Sequence, residues 1–374
     1  MQAKKNLALA AMLAGAIGSV QAQSGVTVYG QLDATLASRQ LSGGTRSTLL
    51  NDGGMSTSNF GVRGTEDLGD GMKASFDLSG FFTVDTGATG RFAGNGDTLL
   101  SRRATVGLAG SYGQLDLGRI GSPFFFAMMF FNPYADSAVY APVFLQLYTG
   151  GQFPMNAPPL NGPDSGVSNV IQYTSPYLNG VSAKLLYAPG EVAGDASKRR
   201  ISGSVSYAAA PLALILAFER DSIALGTLGT LPNPETSQNA WQAGITYDFG
   251  VAKLYGQAFR IKQSFAAPNT GRTFAIYQAG AAVPLGLGKV LLSWAHTKAD
   301  LPPAGVSPYT VVPGFPALPA GAPISGVDPK RDTLTLGYDH NLSKRTDVYS
   351  LLMLDKYTGL ASGKSLALGI RHRF

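Results

Sequence analysis

No cysteine occurs among the 374 residues, which excludes a disulfide framework and any thiolate metal site. Charge is scarce too, at 14% of the chain, and no basic stripe with interleaved aromatics is present of the kind that binds nucleic acid. The three histidines, His296, His340 and His372, show no metal-ligand spacing, and none stands in an arrangement that would activate a serine. Neither an enzyme nor a cofactor is implied. Also missing is any run of about 20 apolar residues, the length that a membrane-crossing helix needs. The Phe124 to Phe131 cluster is far shorter.

Glycine and aromatics are abundant instead, with 47 Gly, 16 Tyr and 19 Phe. At the start, Lys4 and Lys5 precede an apolar run from Leu7 to Ile17 and the small-residue pattern Val20-Gln21-Ala22. These are the three regions of a cleaved secretory signal, assigned to residues 1–22. Its removal lowers the formal net charge from +6 to +4, too mild a value to imply a polyanionic partner. An exported chain without a helical anchor is periplasmic, secreted, or a barrel.

Hydrophobic alternation decides among these. Val26, Val28, Leu32, Ala34 and Leu36 share one parity, and Thr27, Tyr29, Gln31, Asp33 and Thr35 the other, the period of two that marks a half-buried strand. A Gly/Ser/Thr-rich loop runs to Ser58. Phe60, Val62 and Gly64 then alternate with Asn59, Arg63 and Thr65, and the turn Glu66 to Gly71 leads into Met72, Ala74, Phe76 and Leu78, a hairpin pattern. The same syntax continues to the C-terminus and yields sixteen strands whose connections alternate between short and long.

That rhythm is the signature of a transmembrane barrel, with short turns on the periplasmic side and long loops outside. Only a closed sheet lets strands cross lipid without orphaned backbone groups. The expected fold is therefore all-β, a 16-stranded antiparallel barrel over residues 23–374. The odd residues from Val181 to Tyr187 and from Trp241 to Phe249 are the expected lipid face. Leu212 to Phe218 is apolar on both parities, and Thr273 to Val283 gives no clear parity. Sixteen strands about 4.8 Å apart close into a cylinder roughly 30 Å across, wide enough for an aqueous lumen.

One stretch, Gly121 to Gly166, breaks the alternation and reads as a long loop without secondary structure. Loops of this kind are usually functional. Its Phe/Met cluster is a liability in water, so the loop is expected to fold into the lumen, against the wall.

Several segments resemble the trimeric general porins of Gram-negative outer membranes. They are Val28-Tyr29-Gly30, Phe60 to Gly69, Leu117-Gly118-Arg119, Tyr173 to Pro176, Asn341 to Thr346 and Gly369 to Phe374. The resemblance implies a homotrimer in the cell outer membrane, in contact with lipid and lipopolysaccharide. It also implies an assembly signal at the terminal Phe374, read by the outer-membrane assembly machinery, and a third loop that narrows the pore opposite a cluster of arginines. The implied function is passive diffusion of ions and small hydrophilic solutes. The alternative is a substrate-selective channel with a phenylalanine-lined constriction. The sequence departs from the family pattern where Asn59 and Gly166 stand at frequent arginine positions, and where the loop carries few acids, chiefly Asp136 and Asp164. The sign of ion selectivity is left open.

The candidate constriction residues are Arg63, Arg102, Arg103, Asp136 and Phe130. Arg63 has lumenal parity. Alternation against Ala104, Val106 and Leu108 points Arg103 inward, whereas the resemblance aligns Arg102. Arg119 shares parity with Leu115 and Leu117, which places it on the outer face. Bare arginine is costly in lipid, so Arg119 is a candidate protomer-interface residue, with Asp85 or Asp97 of a neighbour as partner.

Overall fold

The computed structural model describes residues 25–91, 97–149, 166–191, 193, 199–222, 235–265, 271–300 and 330–374. The expected signal segment 1–22, the second part of the long loop with Asp164, and most of the loop from Lys298 to Lys330 lie outside the described residues.

Sixteen strands form one closed antiparallel sheet. They are β1 (Gly25–Arg39), β2 in two segments (Ser47–Asp52 and Asn59–Gly69), β3 (Met72–Phe81), β4 (Arg103–Gly110), β5 (Gly113–Gly121), β6 (Gly166–Thr174), β7 (Val181–Ala188), β8 (Arg200–Ala209), β9 (Leu212–Ser222), β10 (Glu235–Asp248), β11 (Lys253–Phe265), β12 (Arg272–Leu285), β13 (Gly288–Asp300), β14 (Lys330–Asn341), β15 (Thr346–Tyr357) and β16 (Gly363–Arg373). Each pairs with its sequence neighbours. The cylinder is sealed where β1 meets β16, from Gln31↔Arg373 to Ser38↔Leu366. Beyond that ladder, Gly30 and Phe374 exchange both backbone hydrogen bonds, at 3.2 and 3.1 Å. Gly30 is required there, because a Cβ would lie 2.6 Å from the Phe374 ring.

The opening loop is shorter than its Gly/Ser/Thr content suggests. Ser47–Asp52 continues the second strand, pairing with Ala34 to Arg39, and Gly53 to Ser58 bulges between the two segments. Asp33 holds the bulge, its Oδ2 accepting from Met55 N at 2.9 Å and Ser56 N at 2.7 Å.

One parity of every strand is apolar and exposed, as in Val26, Leu36, Leu216, Trp241 and Leu368. The other is buried and largely polar, as in Asp33, Gln242, Gln257, Gln278 and Thr335. An outward apolar band and a polar interior are what a bilayer outside and water inside impose. Inside, Gln242 Nε2 donates to Gln257 Oε1 (2.6 Å) and Gln257 Nε2 to Gln278 Oε1 (3.0 Å), binding β10, β11 and β12 side by side.

The stretch after β5 is not structureless. Helix α1 (Pro123–Phe130) starts on Ser122, whose Oγ accepts from Phe125 N at 3.1 Å, with Pro123 at the first position, where its missing N–H costs nothing. Asn132 ends the helix by donating to Met128 O (3.1 Å) and Ala135 O (2.9 Å). A second helical stretch, α2 (Pro142–Phe144), runs into a wide turn over Leu145–Thr149.

These segments lie against wall residues of the inward parity. Phe124 N donates to Ser202 Oγ at 3.3 Å, Ser137 Oγ to Gly54 O at 2.7 Å, and Gln146 Nε2 to Thr333 Oγ1 at 2.9 Å. Gly244 on β10 lets the loop approach, since a Cβ would sit 3.0 Å from the Phe131 ring. The same contacts explain two strands whose parity sequence leaves unread. Ile215 and Ala217 of β9, and Phe274 and Ile276 of β12, face inward yet belong to one buried apolar cluster with Phe124, Phe131, Leu145 and Leu147. Both faces of those strands are apolar because lipid covers one and the loop the other.

Candidate functional site in the barrel lumen

Arg63 of β2, Asp77 of β3, Arg103 of β4, Asp116 of β5 and Lys184 of β7 face inward in one group. Arg63 is cross-strand to Asp77, but Asp77 is engaged elsewhere, with Tyr29 Oη donating to its Oδ1 at 2.6 Å. The Arg63 guanidinium lies 4.9 Å above the Tyr29 ring. Among the described residues no carboxylate lies within ion-pairing distance of it. Arg103 is shared between Asp77 (3.9 Å) and Asp116 (3.7 Å), and its Nε donates to Thr105 Oγ1 at 3.0 Å.

Arg102 and Arg103 both turn toward the lumen. Alternation assumes that the strand is already running, and β4 begins only at Arg103. Arg102 is thus free of the parity rule, and its Nη1 reaches Tyr29 Oη and Ser79 Oγ, both at 3.4 Å. On the next wall, the Lys184 ammonium stands 5.9 Å from the Phe126 ring centroid. Phe126 in turn stacks on Phe130 at 6.0 Å with an interplanar angle of 16°. Phe130 is 60% exposed, unlike Phe124, Phe125 and Phe131, which are buried against the wall.

Asp136 lies in the charge field of Arg102 and of Arg371 on β16. Crowding raises its carboxyl above the ordinary range, while the Ser56 hydroxyl and the two guanidiniums pull it back. Arg371 is itself tied to Asp347 (3.1 Å) and Asp339 (3.4 Å). Arg63, Arg102 and Arg103 therefore meet around Tyr29 and Asp77, Asp136 joins them through Arg102, and Phe130 joins through Phe126 and Lys184. Lys184, Asp77, Asp116 and Arg371 are absent from the sequence-derived candidates. Their signal was present, since each alternates with the lipid-facing residues of its own strand.

Arg119 faces outward, cross-strand to Ala104. Within its own chain its Nε donates to Ser101 O at 2.7 Å and its Nη1 to Ser168 Oγ at 2.8 Å. Asp97 of the same chain is held below the usual carboxylate range. Burial opposes its ionisation, but Arg91, donating from Nε and Nη2 at 3.0 Å each, outweighs that with help from the Arg119 charge.

The loop is anchored by Tyr134, whose buried Oη contacts Leu291 O (2.9 Å) and Thr335 O (3.2 Å). Replacing Tyr134 by Phe leaves two buried carbonyls with one donor fewer, a loss of about 1 kcal/mol. The expected outcome is an open channel with larger current noise at unchanged ion selectivity. A recording indistinguishable from wild type would mean that this contact does not hold the loop.

Comparison with known proteins agrees with this geometry. The family model described as Gram-negative porin matches residues 8–360. The outer membrane porin protein 32 of Delftia acidovorans is 30% identical over 400 residues, spanning 99% of this chain and 100% of that protein. The anion-selective porin from Comamonas acidovorans superposes with a TM-score of 0.74 at 28% identity, covering 94% of this chain and 100% of that one. The trimer form of OmpT of Vibrio cholerae shares the fold at a TM-score of 0.62 and 12% identity, over 94% and 99% of the two chains. An unbroken cylinder with an apolar exterior and a charged interior, matched along nearly its whole length, places this chain in the Gram-negative porin family, as a passive diffusion channel of the outer membrane.

Proposed function

We propose that the channel favours small anions, and that the loop of residues 121–166 sets its narrowest cross-section. One observation carries the first claim. Arg63 and Lys184 project into the lumen against ring faces and form no ion pair among the described residues, so their charge is available to a passing ion, while Arg103 is only loosely shared. Rings of fixed positive charge attract anions and repel cations at close range. The anion-selective Comamonas relative is consistent with this reading. A reversal potential across a potassium chloride gradient tests it: the expected sign is that of chloride permeating faster than potassium, and the opposite sign would overturn the proposal.

The second claim rests on the wall contacts of α1 and α2. Deleting Phe124 to Phe131 removes α1 and is expected to raise single-channel conductance at least twofold in planar bilayers. Unchanged conductance in a correctly folded variant would put the constriction elsewhere. Assembly as a homotrimer, with Arg119 near a protomer boundary and Phe374 serving as the assembly signal, belongs to the same proposal. The fold shared with a trimeric barrel and the outward placement of Arg119 support it.

A further inference from the structure

Along α1 the side chains divide between two faces. Phe124, Ala127, Met128 and Phe131 are buried against the wall. Phe126 and Phe130, four residues apart and so neighbours on the helix surface, turn the other way. Phe126 is half-buried and sits on a wall patch of Ile120, Val167, Val170 and Leu186. Phe125 packs T-shaped on it at 5.6 Å and 64°. Gly121 makes room for it, since a Cβ there would lie 3.1 Å from its ring. The Phe126 ring is therefore a fixed support.

Phe130 stacks on that support at 6.0 Å and 16°, yet its own side chain stays 60% exposed. Among the described residues of the loop, no other large apolar side chain is so exposed. A flat apolar ligand that covers this ring takes apolar area out of water and gains ring-on-ring attraction besides.

The neighbouring charge is positive. Lys184 Nζ stands 5.9 Å from the centre of the Phe126 ring, so the ammonium and the exposed ring flank the same support. Arg103 and Asp116 lie in the charge field of Lys184, and Asp116 is committed to Arg103 at 3.7 Å and to Gln114 Nε2 at 2.9 Å. An apolar disc near an ammonium, with the nearby carboxylate already engaged, complements a ligand that is itself a disc bearing one negative charge.

We infer that the stacked pair Phe126 and Phe130, together with Lys184, forms a binding station for aromatic carboxylates, with the ligand ring on Phe130 and its carboxylate drawn toward Lys184. The inference deepens the anion-selective reading and rests on it. Other anions still pass, and aromatic acids are retained longer on the way through. Alicyclic acids carry the same charge but offer no flat π face, so the ammonium alone holds them.

The test records single-channel chloride current of the full-length barrel in planar bilayers at neutral pH while benzoate or cyclohexanecarboxylate, acids of equal charge and similar size, is added. Benzoate is expected to block at a concentration about fivefold lower than cyclohexanecarboxylate, the factor that a ring stack typically contributes. Phe130→Ala is expected to bring the two acids to equality, Phe130→Tyr to keep the preference, and Lys184→Met to weaken block by both. Each comparison is a ratio within one protein, so a change of pore width in a variant cancels. Equal block by the two acids in the wild-type channel, or none, overturns the station without reference to any variant. So does an undiminished preference in Phe130→Ala, or unchanged block in Lys184→Met. The reversal potential of the same channels separates the two readings: a chloride-preferring channel that treats both acids alike rejects the station alone, whereas a potassium-preferring one rejects the anion selectivity beneath it.

Discussion

Replacing Arg63 by Glu is expected to lower the anion-to-cation permeability ratio about tenfold at low salt. A unit charge acts on an ion about 12 Å away in water with about 0.35 kcal/mol, so reversing its sign moves an anion and a cation by about 0.7 kcal/mol each in opposite directions, which is about 1.4 kcal/mol in their ratio. Arg63 is the clearest position for this experiment, since its guanidinium is exposed and its Tyr29 contact is with a ring face. The variant places a carboxylate beside Asp77, adding repulsion of anions to the loss of attraction. Screening gives an internal control: at 1 M salt the Debye length falls to about 3 Å, and most of the effect should vanish. Arg63→Gln should shift the ratio by about half as many kilocalories. A reversal potential unchanged in Arg63→Glu at low salt would mean that permeating ions do not pass this side chain.

The largest loss of stability is expected at Arg331. Its Nε and Nη2 grip the two carboxylate oxygens of Asp355 at 2.8 and 3.0 Å, with side-chain exposures of 6% and 1%. Asp355 also accepts from Thr333 Oγ1 and Ser42 N, both at 2.9 Å, so the pair ties β14 and β15 to the first external loop. Arg331→Ala leaves that carboxylate buried without its cation, which typically costs about 3–5 kcal/mol. Guanidinium unfolding from lipid vesicles should register the loss. The double variant Arg331→Met/Asp355→Leu should recover part of it, because removing both charges leaves no uncompensated ion. A single-variant loss below about 1 kcal/mol would mean that water reaches the pair.

The barrel and most of its inner charges were legible in the sequence for one reason. A strand with lipid on one side and water on the other must alternate, and Arg63, Lys184 and Arg371 each alternate with apolar neighbours on their own strands. The rule fails where its premise does. Arg102 precedes the first residue of β4, so no ladder dictates which way its side chain points. Ile215 and Phe274 face inward against a loop distant in sequence, and no local pattern reports that contact. The helix α1 was hidden for a related reason: apolar residues at every position give no amphipathic period, and only the Ser122-Pro123 start hints at it.

What the sequence determined by itself is the cylinder: strand number, the short and long connections, the outward apolar face, and the family to which these belong. Tertiary structure alone decided the lining. It set Arg102 beside Tyr29, brought Asp136 into the field of Arg371 across the chain, and gave the inner wall an apolar coat under α1 and α2. The physical reason is range. Alternation follows from the two solvents that each strand meets residue by residue, whereas the electrostatics of a pore depends on which distant side chains face one another across water.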